Sequence, residues 1–121
     1  MSEIIVYPSA ARTATPTPVD IALDAQNATA LLLLIDVTAV GVTPSVVPTI
    51  DGIDTLSGKL FNLLTGAALV AVVTRRLSVG PGLVVAANLA ANEHLPDKVR
   101  VTMTHGNGVT ITYSVSAHVI Q

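Results

Sequence analysis

The histidines and one pair of aspartates are the side chains of this chain best suited to hold a metal ion. His94, His105 and His118 lie more than ten residues apart from one another, so none belongs to the closely spaced pair that a zinc motif requires. Asp51 and Asp54 flank a turn, Asp-Gly-Ile-Asp, without the alternating oxygen ligands and final glutamate of a calcium loop. We therefore predict no metal site, and we interpret the aspartates as turn residues and the histidines as solvated or interface side chains.

Nucleophilic and phosphate-binding chemistry has equally little support. The chain contains no cysteine, and none of its serines lies in a Gly-x-Ser-x-Gly elbow. The segment Gly80-Pro81-Gly82 lacks the spacing and the following lysine of a phosphate loop. These absences predict a protein that is not an enzyme, with no catalytic residue, no cofactor and no small-molecule substrate.

Composition excludes further classes of function. Only 12% of the 121 residues are charged, against about 25% in an average globular domain, and the formal net charge is -2. Aromatic residues make up 2%, so both the basic patch and the stacking rings of a nucleic-acid-binding protein are missing. No apolar run reaches the roughly 20 uninterrupted residues of a membrane span, and Glu3 stands where a signal peptide needs a basic start. We expect neither a nucleic-acid partner nor a membrane partner.

The strongest structural signal is the alternation of apolar and polar residues near the end of the chain. Apolar residues occupy every second position across 99–103 and 109–119, while threonine and serine fill most positions between them. A hairpin with the three-residue loop Gly106-Asn107-Gly108 would place Met103 opposite Ile111 and Thr102 opposite Thr112. The prediction is one ribbon with an apolar face and a hydroxyl-rich face.

Shorter β patterns precede this ribbon, at 19–24, 29–40, 45–53, 59–64 and 69–79. In the last of these patterns, Arg75 occupies one of the alternate positions that are otherwise apolar. Either its side chain lies at the core edge or reaches into a partner, or a bulge shifts the alternation. The Ala- and Asn-rich stretch 83–94 reads as one helical turn or an irregular crossover. About eight strands without an amphipathic helix predict an all-β fold, an antiparallel β-sandwich.

The first residues are predicted to form an extended N-terminal arm. Pro8, Pro16 and Pro18 restrict the backbone and remove amide donors, which is typical of an arm or an edge segment. A short strand is predicted within it, at residues 3–7. The predicted organisation is an arm over residues 1–18 and a sandwich domain over 19–121, and deletion of the arm is expected to leave the sandwich folded.

Low charge and a hydroxyl-rich strand face predict a subunit that packs against neighbours, because uncharged faces lose water at lower cost than ionic ones. The arm is expected to add to another subunit as a strand. A homo-oligomer is therefore expected, although a small β domain with a hydroxyl-rich exterior would show the same pattern. The candidate subunit-interface residues are Tyr7, Pro8, Arg12, Pro16, Pro18, Arg75, Arg76, Thr102 and Thr112.

Several segments together resemble a family of small structural proteins of tailed-bacteriophage particles. They include Ala-Arg-Thr-Ala-Thr-Pro-Thr-Pro (11–18), Leu-Leu-Ile-Asp-Val-Thr-Ala-Val (33–40), Ile-Asp-Gly-Ile-Asp (50–54), Gly-Pro-Gly-Leu (80–83) and Val-Arg-Val-Thr-Met-Thr-His (99–105). The resemblance runs over nearly the whole chain, and its motifs are patterns of strands and turns. Such motifs identify a family better than they identify an activity.

The resemblance implies a β-sandwich that decorates the outside of the phage head, with the major capsid protein as its partner and no catalytic residues. It implies a protein made in the cytoplasm of the bacterial host and located in the virion, on the outer capsid surface. A neck or tail subunit of the particle is the first alternative. A carbohydrate- or host-binding β-sandwich module is the second, and Tyr7, Phe61 and Tyr113 are the only rings available to it.

Overall fold

The computed structural model describes residues 2–121 and is all-β. Within that range the chain forms nine strands and a single 3-10 turn at Asp24–Gln26. The strands are β1 (Ser2–Arg12), β2 (Val19–Ala22), β3 (Ala30–Val40), β4 (Val46–Ile53), β5 (Leu60–Thr65), β6 (Val73–Gly80), β7 (Ala90–Asn92), β8 (Lys98–His105) and β9 (Ile111–Ile120). The predicted fold class is therefore confirmed.

Two sheets pack face to face. The five-stranded sheet has the order β1-β9-β3-β6-β7, and the four-stranded sheet has the order β2-β8-β4-β5. Neighbouring strands run antiparallel, except that β7 pairs parallel with β6. This order places β1 and β7 at the edges of one sheet, and β2 and β5 at the edges of the other.

The core lies between the sheets and consists almost entirely of aliphatic side chains. The alternation in β3 buries Leu31, Leu33, Ile35 and Val37 completely or nearly so, while Leu32 and its outward neighbours are half-buried. In β9 the inward set is Ile111, Tyr113, Val115, Ala117 and Val119. Period-2 patterning therefore predicted correctly which residues of β9 face inward. In β3 the alternation ends at a register shift between Val37 and Ala39, and Ala39 is exposed.

The predicted N-terminal arm is in large part an edge strand of the domain itself. Residues 2–12 form β1, which pairs antiparallel with β9 from Ser2 opposite Val119 to Arg12 opposite Ile111. Val6 and Tyr7 are 6% exposed and belong to the core. For residues 2–12 the alternative of an edge segment is the one observed, and the strand predicted at residues 3–7 lies within β1. Only residues 13–18 form a linker without strand structure, which we call the 13–18 linker.

The predicted hairpin between the last two strands is wrong. Strand β8 lies in the four-stranded sheet and β9 in the five-stranded sheet, so the connection at 106–110 crosses from one sheet to the other. Met103 instead pairs with Pro48, and Thr102 with Thr49. Alternation identifies the face of a strand that points inward, and two strands in opposite sheets satisfy the same pattern as two strands in one ribbon.

The stretch 83–94 forms an irregular crossover. It contains a turn in which Ala90 N–H donates to Ala86 O at 2.9 Å, with Asn88 at a φ of 61°. The crossover ends in β7, whose three residues pair with the end of β6. Of the two predicted alternatives, the crossover is the one observed.

Candidate functional site

The N-terminal candidate residues converge on an arginine held between two tyrosine rings. The Arg12 guanidinium carbon lies 4.6 Å from the centroid of the Tyr113 ring and 5.5 Å from that of Tyr7. The same group donates hydrogen bonds to the carbonyl oxygens of Tyr113 at 2.7 Å, Pro8 at 2.6 Å and Ala10 at 3.2 Å. Arg12 therefore ties the irregular end of β1 to β9, and its charge is largely engaged within the chain.

The same cluster fastens the 13–18 linker. The Tyr7 hydroxyl donates to the Thr17 carbonyl at 2.7 Å, and the His105 backbone N–H donates to Thr15 Oγ1 at 2.9 Å. His105 Nε2 lies 3.0 Å from the Tyr113 hydroxyl. The linker is thus held to both sheets by hydrogen bonds, so it is not free to extend onto a neighbouring subunit without breaking them.

The electrostatics of this cluster favour uncharged forms of its rings. Burial raises the pKa of Tyr113 to about 12 and also raises the pKa of Tyr7, although Arg12 opposes both shifts. Burial lowers the pKa of His105, and the positive charge of Arg12 lowers it further. His105 Nδ1 is buried without a hydrogen-bond partner among residues 2–121. A neutral histidine and two protonated tyrosines suit a packed cluster, with Arg12 as its one fixed charge.

Arg75 lies at the edge of the core, as one of the two predicted alternatives requires. It pairs with Ile35 on the inward parity of β6, and its guanidinium donates to the carbonyls of Ala67 at 2.9 Å and Ala68 at 3.4 Å. The β3–β6 register runs without a shift through Arg75 and Arg76, so the alternative of a bulge is wrong. The long side chain reaches past the core to satisfy loop carbonyls.

The remaining candidates are spread over the molecule. Arg76 is exposed on the outer face of the five-stranded sheet, beside Leu34. Pro16 and Pro18 lie in the 13–18 linker, half-buried and exposed respectively. The nine candidate residues therefore do not form a single patch.

Thr102 and Thr112, predicted to be cross-strand neighbours, lie on opposite faces of the sandwich. Thr102 projects from the outer face of the four-stranded sheet, in a row with Thr49 and Thr65. Thr112 lies on the five-stranded sheet, with Ser114 and Ser116 following on the same face of β9. The molecule thus has two hydroxyl-bearing outer faces where one was predicted.

Charges on the four-stranded sheet are paired locally. Arg100 Nε lies 2.7 Å from Asp20 Oδ1, and Arg100 Nη2 lies 3.1 Å from Asp20 Oδ2. The hydrogen bond from Arg100 lowers the pKa of Asp20. On the next strands of that face, Asn62 Nδ2 donates to Asp51 Oδ1 at 3.2 Å. Asp20, Arg100 and Asp51 on this face therefore each have a hydrogen-bonding partner.

One flank of the sandwich exposes apolar side chains in an ordered setting. The loop before β5 is fixed by Asp54, whose carboxylate accepts hydrogen bonds from the Leu56 N–H at 3.0 Å and the Ser57 hydroxyl at 2.8 Å. These hydrogen bonds also lower the pKa of Asp54. Leu56 is nevertheless 98% exposed, and Leu60 and Phe61 are each 44% exposed. We call Leu56, Leu60 and Phe61 the β5 apolar tip.

A groove of about 360 Å³ lies beside the β5 apolar tip, between the edge strands β5 and β7. Apart from Glu93, its lining carries no ionisable side chain. The lining residues are Asn62, Leu63, Leu64, Thr65, Val85, Ala86, Ala87, Asn88, Ala90, Ala91, Asn92 and Glu93. Sequence reasoning missed this site, because the parallel pairing that brings β7 to the sheet edge has no signature in so short a strand.

The part of the chain that the structure describes contains no group of three histidine, aspartate or glutamate side chains arranged to hold a metal ion. Asp54 lies in a turn, where its carboxylate accepts hydrogen bonds from Leu56 and Ser57. Asp51 lies in β4 and pairs with Asn62 and Arg100, so the interpretation of Asp51 as a turn residue is wrong.

Among residues 2–121 there is also no helix of the length and apolar character that a membrane crossing needs.

Comparisons with known proteins returned no relatives. No protein-family model matches the chain, and no curated protein and no solved structure is similar to it at a significant level.

Proposed function

We propose that this chain is a structural subunit of a tailed-bacteriophage particle, and that it decorates the outer surface of the assembled head. The sequence segments that resemble such proteins support the family, and the all-β sandwich is the fold that this resemblance implies. The proposed partner is the major capsid protein, and the proposed location is the virion exterior.

The observation that carries the proposal is that both outer faces present rows of hydroxyl groups in a chain with few charges. The rows are formed by Thr49, Thr65 and Thr102 on one sheet and by Thr112 and Ser116 on the other. Burying hydroxyl groups against another protein costs less desolvation energy than burying ionic groups. The charged fraction of the chain, 12%, is about half the 25% of an average globular domain.

The mechanism of a decoration protein is mass action. A subunit that binds only the assembled lattice stabilises that lattice by RT ln(1 + [L]/Kd), which is about 2.7 kcal/mol per site when the free subunit is present at 100 times Kd. Summed over many sites, this stabilises the shell without any catalytic step. Arg76, Thr102 and Thr112 remain available as contact residues, whereas Tyr7 and Arg12 already serve the internal packing of β1.

Immunogold electron microscopy of a phage that encodes this chain tests the proposal. We expect label distributed over the outer surface of the head. Label confined to the neck or tail would replace the decoration role by the alternative of a neck or tail subunit. Purified particles that lack the chain altogether would overturn the virion assignment, and glycan-array binding by the isolated protein would then favour the carbohydrate-binding alternative.

A further inference from the structure

We propose that two copies of this chain associate about a two-fold axis by antiparallel pairing of their β5 strands. The inference concerns the protein by itself and does not depend on the proposed place in a virion. It rests on the state of the four sheet edges and on the apolar surface beside one of them.

Three of the four edges carry features that block strand addition. Strand β1 has two register shifts in its pairing with β9 and contains the exposed Pro8. Strands β2 and β7 are only four and three residues long. Bulges, proline and shortness are the devices by which soluble β proteins prevent pairing at their edges.

Strand β5 is the least protected edge. Its six residues, Leu60–Thr65, include no proline and no ionisable side chain, and within residues 2–121 no strand pairs with the side away from β4. Its one irregularity is a register shift next to Leu63, which turns both Leu63 and Leu64 toward the core. On the side away from β4, the backbone of all six residues has no strand partner within residues 2–121.

The partner that best fits the free edge of β5 is the same edge of a second copy of the chain. An antiparallel strand edge is complementary to itself, because a two-fold axis maps its donors onto its acceptors. Two copies of Leu60–Thr65 meet without like charges. The nearest cations, the two Lys59 side chains, fall at opposite ends of the paired strands, roughly 20 Å apart. That separation exceeds the Debye length of about 8 Å at physiological salt.

The side chains beside the edge favour the same arrangement. The Phe61 ring lies against Gly52, where a Cβ atom would come within 2.3 Å of the ring. Antiparallel pairing brings Phe61 of each copy toward the 64–65 end of its partner's strand, which lines the groove beside β5. Val85, which is 68% exposed in the single chain, lines the same groove, so each ring approaches exposed apolar surface of the other copy.

Sedimentation velocity of the purified full chain across micromolar concentrations tests this pairing. We expect the mass to rise from one chain to two, and Phe61→Lys to hold the protein at one chain at every concentration. Val42→Lys is the matched control, because Val42 is 84% exposed outside β5, and it should associate as the unaltered chain does. Circular dichroism checks that each variant remains folded.

A cross-linking measurement covers the case in which Phe61→Lys fails to fold. The chain has no cysteine, so a single Asn62→Cys substitution reports on contacts of β5 alone. Near a two-fold axis this residue meets its own copy within disulfide range, and mild oxidation should give a covalent dimer, whereas Val42→Cys should not. An unaltered chain that stays monomeric, association that survives in folded Phe61→Lys, or cross-linking at position 42 but not 62 would each overturn the proposal.

Discussion

Because β1 contributes to the core, substitutions at two adjacent residues of this strand should have different effects on stability. Val6 is 6% exposed and packs between the sheets, whereas Ile5 is 75% exposed on the outer face of the same strand. Val6→Ala should destabilise the protein, and Ile5→Ala should have little effect, although isoleucine loses more atoms. The pair thus separates burial from residue size.

The magnitude follows from the atoms removed. Val6→Ala deletes two buried carbons at about 0.8 kcal/mol each, and the cavity left behind raises the loss to about 2 kcal/mol. For a domain of this size that lowers the melting temperature by roughly 8 °C. Ile5→Ala should stay within about 0.5 kcal/mol, as exposed substitutions usually do.

Urea denaturation followed by circular dichroism measures both variants against the unaltered chain. If neither substitution changes the free energy of unfolding, then β1 is a loose arm and its pairing with β9 is not maintained in solution. Deletion of 2–12 extends the test, because it removes Val6 and Tyr7 from the core and uncovers the β9 edge. We expect a loss on the order of 5 kcal/mol, comparable with the whole stability of a marginal domain.

Three further outcomes are expected. The lowered pKa of His105 means that the unfolded state binds more protons below about pH 6.5, so the free energy of unfolding should fall as the pH drops through that range, and His105→Gln should flatten this part of the profile. Gly66→Ala places a Cβ atom 2.6 Å from a buried proline ring and should cost about 1–3 kcal/mol in urea denaturation, whereas Gly108→Ala, with open space around it, should be neutral. Ile111→Asp puts an unpaired charge between the sheets and should abolish the β-sheet circular dichroism signal; a cooperatively folded variant at neutral pH would contradict the assigned core.

Alternation along a single strand predicted the inward residues of β9, because burial on one side of a sheet imposes a period of two on the sequence. The partner of a strand leaves no such trace. The alternation of apolar residues would have allowed β8 to pair with β9, yet the chain between them crosses to the opposite sheet. The face of a residue was therefore predictable, and the identity of its cross-strand neighbour was not.

The first strand illustrates a second limit. Three prolines within residues 8–18 indicated an extended arm or an edge segment, and the prolines alone did not decide between them. Strand β1 accommodates Pro8 at an edge, where no donor is needed on the open side. The arginine between two rings that secures this end joins Tyr7, Arg12 and Tyr113, and so brings together residues about a hundred positions apart. Sequence spacing carries no signal for such a contact. Sequence reasoning did point to Tyr7 and Arg12, as interface residues, but not to their contact with Tyr113.

The pairing of Ser2 with Val119 has a consequence for how the protein is made. Strand β9 leaves the ribosome only after the roughly one hundred residues that separate it from its partner β1. Strand β3, which pairs with the other side of β9, also lacks this neighbour until β9 has been made. The five-stranded sheet can close only after β9 has been translated, so its earlier apolar strands stay uncovered until then, and folding is expected to be slow.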